Sequence, residues 1–100
     1  MDMLCQTQSG VAVYSKNKPR QTAAEARHAA RVAELPCIVC DAPPPSEVHE
    51  PEQGLWMVAV PLCAECHRGR HGWHGDRQRW TLRRVSELGA INETHKRLSA

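Results

Sequence analysis

Four cysteines fall in two tight pairs, Cys37-Ile38-Val39-Cys40 and Cys63-Ala64-Glu65-Cys66, with 22 residues between them. A C-x-x-C turn lets two sulfurs approach one ion, and two such turns supply the four thiolates of a tetrahedral Zn2+ shell. A shell closed by four sulfurs leaves no open position, so this spacing predicts a structural ion rather than a catalytic one. The competing use of such pairs, a redox dithiol, requires a thioredoxin-like βαβ setting that the surrounding sequence lacks.

A zinc closed by cysteines leaves the histidines free for other chemistry. His67 and His71 are spaced i and i+4, which puts both imidazoles on one face if the chain is helical there, where they can share a second metal. His49, in the stretch Val48-His49-Glu50, belongs to a segment expected to pack against that helix.

The elements that must hold these residues can be read from caps, breakers and periodicity. Thr22 followed by Glu25 is a capping box, and a helix over 22–35 runs to Pro36, which stops it. Ala26, Ala29, Ala30 and Ala33 make a small face suited to close packing, while Arg27 and Arg31 share an exposed side. After the first cysteine pair, Pro43-Pro44-Pro45 excludes a central strand or helix interior. Residues 46–49 and 55–60 are β-favouring and flank turn chemistry at 50–54, which together predict an irregular hairpin. The second cysteine pair leads into a helical turn through His67 and His71 that Gly72 ends. Asp76 is placed to cap a final helix over 76–98. Along it Trp80, Arg84, Leu88, Ile91, His95 and Leu98 form a stripe with Val85 beside them, and Gly89 marks a break or a close contact. Residues 1–20 read as a mobile arm with one short apolar stretch at 11–14, and Cys5 as an unpaired thiol without a role.

Composition agrees with a metal-stabilised single domain at 21–100. The 100 residues include three Trp, one Tyr and no Phe, which is little material for a core. No run approaches a membrane span and no secretory leader is visible, so the expectation is a soluble cytoplasmic protein. The net charge of +2 hides segregation along the chain. Residues 16–31 hold five basic residues against Glu25, residues 34–66 hold six acidic residues and no Lys or Arg, and residues 67–97 hold eight basic residues against Asp76, Glu87 and Glu93. Two basic flanks around a metal centre suit a polyanion, whereas solvated helix faces would show the same count. Trp73 and Trp80 could stack on bases, but a cover for the cysteine knuckle and a core anchor are the plainer roles.

The order C-x-x-C, then Val48-His49-Glu50, then Pro61-Leu62-Cys63-Ala64-Glu65-Cys66-His67 with a further His71, resembles the zinc-stabilised HNH endonuclease superfamily, especially its small phage- and prophage-encoded members. The resemblance covers residues 36–75. It implies a small α+β domain with a ββα-metal core at 36–75, flanked by the helices at 22–35 and 76–98. It further implies a divalent ion, often Mg2+, between hairpin and helix, held by His49 and His67 with His71, and hydrolysis of phosphodiester bonds in DNA. In one registration His49 is a ligand and Glu50 stands at the base position; in the other His49 is the base, which leaves Val48 at a ligand position. Val58 stands where the family carries its middle asparagine. Arg68 and Arg70 would contact flanking phosphates, with Arg77, Arg79, Arg83 and Arg84 extending the track. Two other readings stay open: a degenerate module that binds nucleic acid or a protein without cutting, and a zinc ribbon of the transcription type. The final helix could also form a dimer seam.

Overall fold

The computed structural model describes residues 20–100. The arm expected at the N-terminus, its apolar stretch and Cys5 lie outside the described residues, apart from Arg20.

Helix α1 spans Ala23–Ala33 and opens on the expected capping box. The Glu25 amide donates to Thr22 Oγ1 at 3.1 Å and the Thr22 amide to Glu25 Oε1 at 2.8 Å, so two otherwise orphaned amides are satisfied reciprocally. Its inward face is not the predicted alanine stripe. His28 and Val32 are buried, whereas Ala26 and Ala30 are exposed, because the helix turns its larger apolar residue toward the core. The chain leaves α1 through Leu35 and Pro36 and enters the first cysteine knuckle, where Asp41 takes a left-handed conformation (φ 68°) that Asp tolerates better than most residues.

Strand β1 (Glu47–His49) pairs antiparallel with β2 (Val60–Leu62), with Glu47 opposite Leu62 and His49 opposite Val60. The intervening loop contains a 3-10 turn at Trp56–Val58, so the β-favouring stretch 55–60 is strand only from Val60. The first knuckle is tied to this hairpin by the Ile38 amide, which donates to the Pro61 carbonyl at 2.9 Å.

Helix α2 (Ala64–Arg68) follows at once, with Cys63 as its N-cap. It is shorter than expected and ends at Gly69, so residues 69–77 form a loop that doubles back on it. The Trp73 amide donates to the Cys66 carbonyl at 2.9 Å and the His74 amide to the His67 carbonyl at 3.0 Å. This return requires glycine. A Cβ on Gly72 would lie 2.5 Å from the Glu65 carbonyl oxygen, and one on Gly75 would collide with the Arg70 carbonyl.

The predicted helix over 76–98 is two helices, α3 (Gln78–Leu82) and α4 (Glu87–Leu98). Arg84 adopts a left-handed conformation (φ 58°) and Ser86 caps α4 through its Oγ, which accepts from the Gly89 amide at 3.0 Å. Gly89 therefore sits in a capped first turn, and the break lies before it. The predicted stripe holds only in part for the same reason: Trp80 is buried and Val85 and Ile91 pack on the core, but Arg84, Leu88 and His95 are exposed, while Ala90 and Thr94 face inward. Asp76 does not occupy the cap position, although its Oδ1 accepts from the Gln78 amide at 3.0 Å.

One continuous core joins Cys37, Ile38, Val39, Val60, Leu62, Cys66, Trp80 and Ala90. The two cysteine knuckles are thus part of the core rather than appended to it. No helix among the described residues is long and apolar enough to cross a membrane.

A second contact, between α1 and α4, makes stability sensitive to acid. His28 is buried near His95, with ring centroids 6.1 Å apart, and its Nε2 has no hydrogen-bond partner among the described residues. Burial lowers its pKa below the ordinary imidazole value, the nearby His95 and Arg31 charges lower it further, and the Met57 backbone opposes them. The unfolded chain therefore binds a proton that the folded chain refuses. The contribution is intact above the unfolded value of about 6.5 and is lost as pH falls from there toward the folded value. Urea midpoints of the wild type and His28→Phe should diverge between about pH 7.5 and about pH 5.5, with the wild type losing more. The difference between the two proteins isolates His28 from the acid sensitivity that the cysteine and histidine clusters share.

Candidate metal centres

The sulfurs of Cys37, Cys40, Cys63 and Cys66 lie within 4.8 Å of one another, and the Cys40 and Cys63 sulfurs are 3.6 Å apart. Tetrahedral Zn–S bonds of about 2.3 Å place sulfurs about 3.8 Å apart, so the donor set and its spacing fit a metal such as zinc. All four cysteines are free of disulfides. Burial governs their protonation. Burial raises the Cys66 and Cys63 thiols. Burial acts in the same direction on Cys40, but bonds from the Ala42 backbone and from the other thiols outweigh it and bring that thiol down to about 7. A divalent ion reverses this logic and deprotonates coordinating thiols outright.

One cation already touches the cluster. Arg79 Nε donates to Cys66 Sγ at 3.2 Å, and Trp80 Nε1 donates to the Cys66 carbonyl at 2.9 Å, so α3 secures both ends of that residue.

The histidines gather in a second cluster, but not the predicted one. His49, at the end of β1, and His67, on α2, meet His74 from the return loop, and one ligating atom from each lies within 4.8 Å of the others. Ring centroids are 5.1 Å apart for His49 and His67, 4.9 Å for His67 and His74, and 5.5 Å for His49 and His74. His71 lies elsewhere, because α2 stops before it, and its Nδ1 contacts the Asp76 carboxylate at 2.9 Å.

Each of the two less exposed histidines is held by a carboxylate. His49 is 3% exposed and its Nε2 lies 3.0 Å from Glu87 Oε2; His67 Nδ1 lies 2.8 Å from Glu47 Oε1. Histidines that bind metals commonly hand their other ring nitrogen to a carboxylate in this way. Burial lowers the pKa of His49, assisted by His67 and His74, while Glu87 opposes, and the neutral ring is the form that ligates metal or takes a proton. Arg68 and His67 together hold the Glu47 carboxyl below its ordinary range.

The cluster opens on a cleft of about 230 Å³ lined by Val48, His49, Glu50, Gln53, His67 and His74. Glu50 Oε1 accepts from the Gly54 amide at 2.8 Å, which fixes the carboxylate at the cleft wall. Val58 lies in the 3-10 turn and is not among the cleft residues. Three imidazoles suit Zn2+, Co2+, Ni2+ or Cu2+; Mg2+ prefers oxygen ligands, so the histidine set does not fit the expected Mg2+.

Several of the arginines expected at phosphates also have partners within the protein. Arg68 grips Glu47 through Nε and Nη2, the latter at 2.7 Å. Arg77 lies 3.6 Å over the Trp73 ring, and its Nε donates to the Trp73 carbonyl at 2.8 Å. Arg79 is half-buried and faces Cys66, while Arg68, Arg70, Arg77, Arg83 and Arg84 are exposed. Trp80, 2% exposed, has no face for a base, and Trp73 packs against it with centroids 4.8 Å apart.

Among the residues the sequence did not single out are His74, Glu47 and Glu87. The glycines on either side of His74 signal a loop, and nothing in the sequence says that this loop returns to His67. Glu87 lies 38 residues from His49 and has no local signal at all. Comparison with protein-family models, curated proteins and solved structures returns no match for this chain.

Proposed function

We propose that this chain is a metal-dependent endonuclease of the HNH type, which hydrolyses phosphodiester bonds in DNA at the histidine cleft while zinc bound by Cys37, Cys40, Cys63 and Cys66 holds the frame. The observation that carries the reading is the convergence of His49, His67 and His74 on a cleft that also contains Glu50. A hairpin followed directly by a short helix supplies two of those histidines, as the resemblance to that superfamily implies. In this reading the imidazoles hold a transition-metal ion, and Glu50 at the cleft wall takes the proton from the attacking water. The ion, when bound, neutralises charge on the scissile phosphate and the leaving oxygen. Arg70, exposed beyond α2, and Arg83 and Arg84, after α3, are the arginines available to flanking phosphates.

A second reading has a specific observation in its favour. Arg68 is paired with Glu47 and Arg79 is held against Cys66, which leaves less unpaired basic charge than the count suggests and suits a module that binds without cutting.

Plasmid nicking in Mn2+, Co2+, Zn2+ or Mg2+ separates the two. The wild type is expected to nick in at least one transition metal, and His67→Ala to lose about 100-fold in rate while keeping its zinc and its helical signal. Binding without cleavage, unchanged by His67→Ala, would establish the second reading instead.

A further inference from the structure

Glu87 reaches the histidine cleft from α4, an element that the sequence places outside the site. The break between α3 and α4 delivers it there. Arg84 turns the chain through a left-handed residue, Ser86 caps the new helix, and Glu87 then occupies the first helical position, where the partial positive charge of the helix N-terminus favours a carboxylate. Its Oε2 lies 3.0 Å from Nε2 of the buried His49.

We infer that Glu87 is a positioning residue for the histidine site, one that fixes His49 as the Nε2–H tautomer so that Nδ1 is the nitrogen presented to a transition-metal ion. The chemistry is that of an acceptor-only carboxylate. It takes a hydrogen bond from an imidazole N–H, and in a neutral ring that leaves the opposite nitrogen as the only lone pair. A ring that is 3% exposed meets little solvent that could compete for Nε2, so the carboxylate decides. His67 is arranged in the complementary sense: Glu47 engages its Nδ1, which leaves Nε2. The two carboxylates thus select opposite nitrogens of two rings that approach the same point from strand and helix. His74, on the loop, has no carboxylate partner among the described hydrogen bonds and supplies the adaptable third donor.

This inference rests on the histidine cluster being a metal site, and the experiment separates the two. Protein with zinc at its cysteines is titrated with Co2+, whose d–d absorbance reports nitrogen coordination, while the absence of a thiolate-to-cobalt charge-transfer band shows that zinc stays at the cysteines. The wild type should bind one further Co2+. Glu87→Ala should weaken that binding about 10- to 100-fold, and Glu87→Gln, which keeps an acceptor oxygen, should recover most of it. Long-range 1H–15N spectra should show the Nε2–H tautomer of His49 in the wild type and a mixture in Glu87→Ala. A thermal transition and zinc content that do not change in Glu87→Ala confine the effect to the site. Cobalt affinity within about twofold of wild type in Glu87→Ala, or the Nδ1–H tautomer in the wild type, overturns the inference even if the protein nicks DNA. A wild type that takes up no further Co2+ overturns the metal site itself, and the inference with it.

Discussion

Cys63→Ser, or removal of the metal by a chelator, is expected to unfold the domain, with the helical circular-dichroism signal of α1 and α4 lost together rather than in part. The size of the effect follows from how little else is buried. Among the largest fully buried side chains are Trp80, Leu62, Val32 and Val60, and Cys37 and Cys66 belong to the same group. A structural zinc site contributes apparent free energies of about 10–16 kcal/mol in small zinc-finger domains at neutral pH. The whole stability of a domain is about 5–15 kcal/mol, so nothing else in a core this small offsets that loss. The geometry makes the loss global: Cys37 and Cys40 precede the hairpin and Cys63 and Cys66 open α2, so an ion held by all four would tie together two knuckles that share one core. Cys66, one of the two fully buried thiols, has Arg79 as its charged partner within hydrogen-bonding distance. A Cys63→Ser protein that contains no zinc, keeps its helical signal and melts cooperatively would show that the cysteines are ordinary core residues.

What could be read from the sequence follows the range of the interactions concerned. The cysteine pairs and the capping box are set within a few residues, and both stand as expected: four sulfurs within 4.8 Å, and Thr22 and Glu25 bonded reciprocally. The hairpin was legible as β-favouring stretches around a turn, though not its 3-10 segment. Failures begin where a distant surface decides. The spacing of His67 and His71 is helical, but Gly69 ends α2 and the loop packs so closely against it that Gly72 has no room for a side chain; the result substitutes His74 for His71. The stripe over 76–98 is periodic by itself, yet the chain breaks at Arg84 so that Trp80 and Ala90 can enter one core from two helices. The arginines were counted correctly as charge, but the partners that hold them were not legible: Glu47, Trp73 and Cys66 each engage one.

Trp80→Ala is the second large effect expected, a loss of about 3–5 kcal/mol in zinc-saturated protein. Trp80 is the largest fully buried side chain and lies on a helix of only five residues, which has no independent stability to fall back on. Its Nε1 also donates to the Cys66 carbonyl at 2.9 Å. Loss of that bond adds little, because the same carbonyl accepts from the Trp73 amide at 2.9 Å and is not orphaned. The cost is therefore mainly cavity, and Trp80→Phe, which refills most of the volume, should be milder than Trp80→Ala by at least about 2 kcal/mol. Trp73→Ala should also cost less, since that ring is half-buried and carries Arg77 on one face. Urea midpoints measured with the slope unchanged give all three values. Equal losses for Trp80→Ala and Trp80→Phe would mean that the bond to Cys66 dominates, and a loss below about 1 kcal/mol for Trp80→Ala would remove Trp80 as the anchor of α3. If the cavity account holds, the damage extends to the histidine cleft. Trp80 fixes α3 on the carbonyl of Cys66, the neighbour of His67, and the return loop that presents His74 ends where α3 begins, so Co2+ affinity at the histidines should fall with stability.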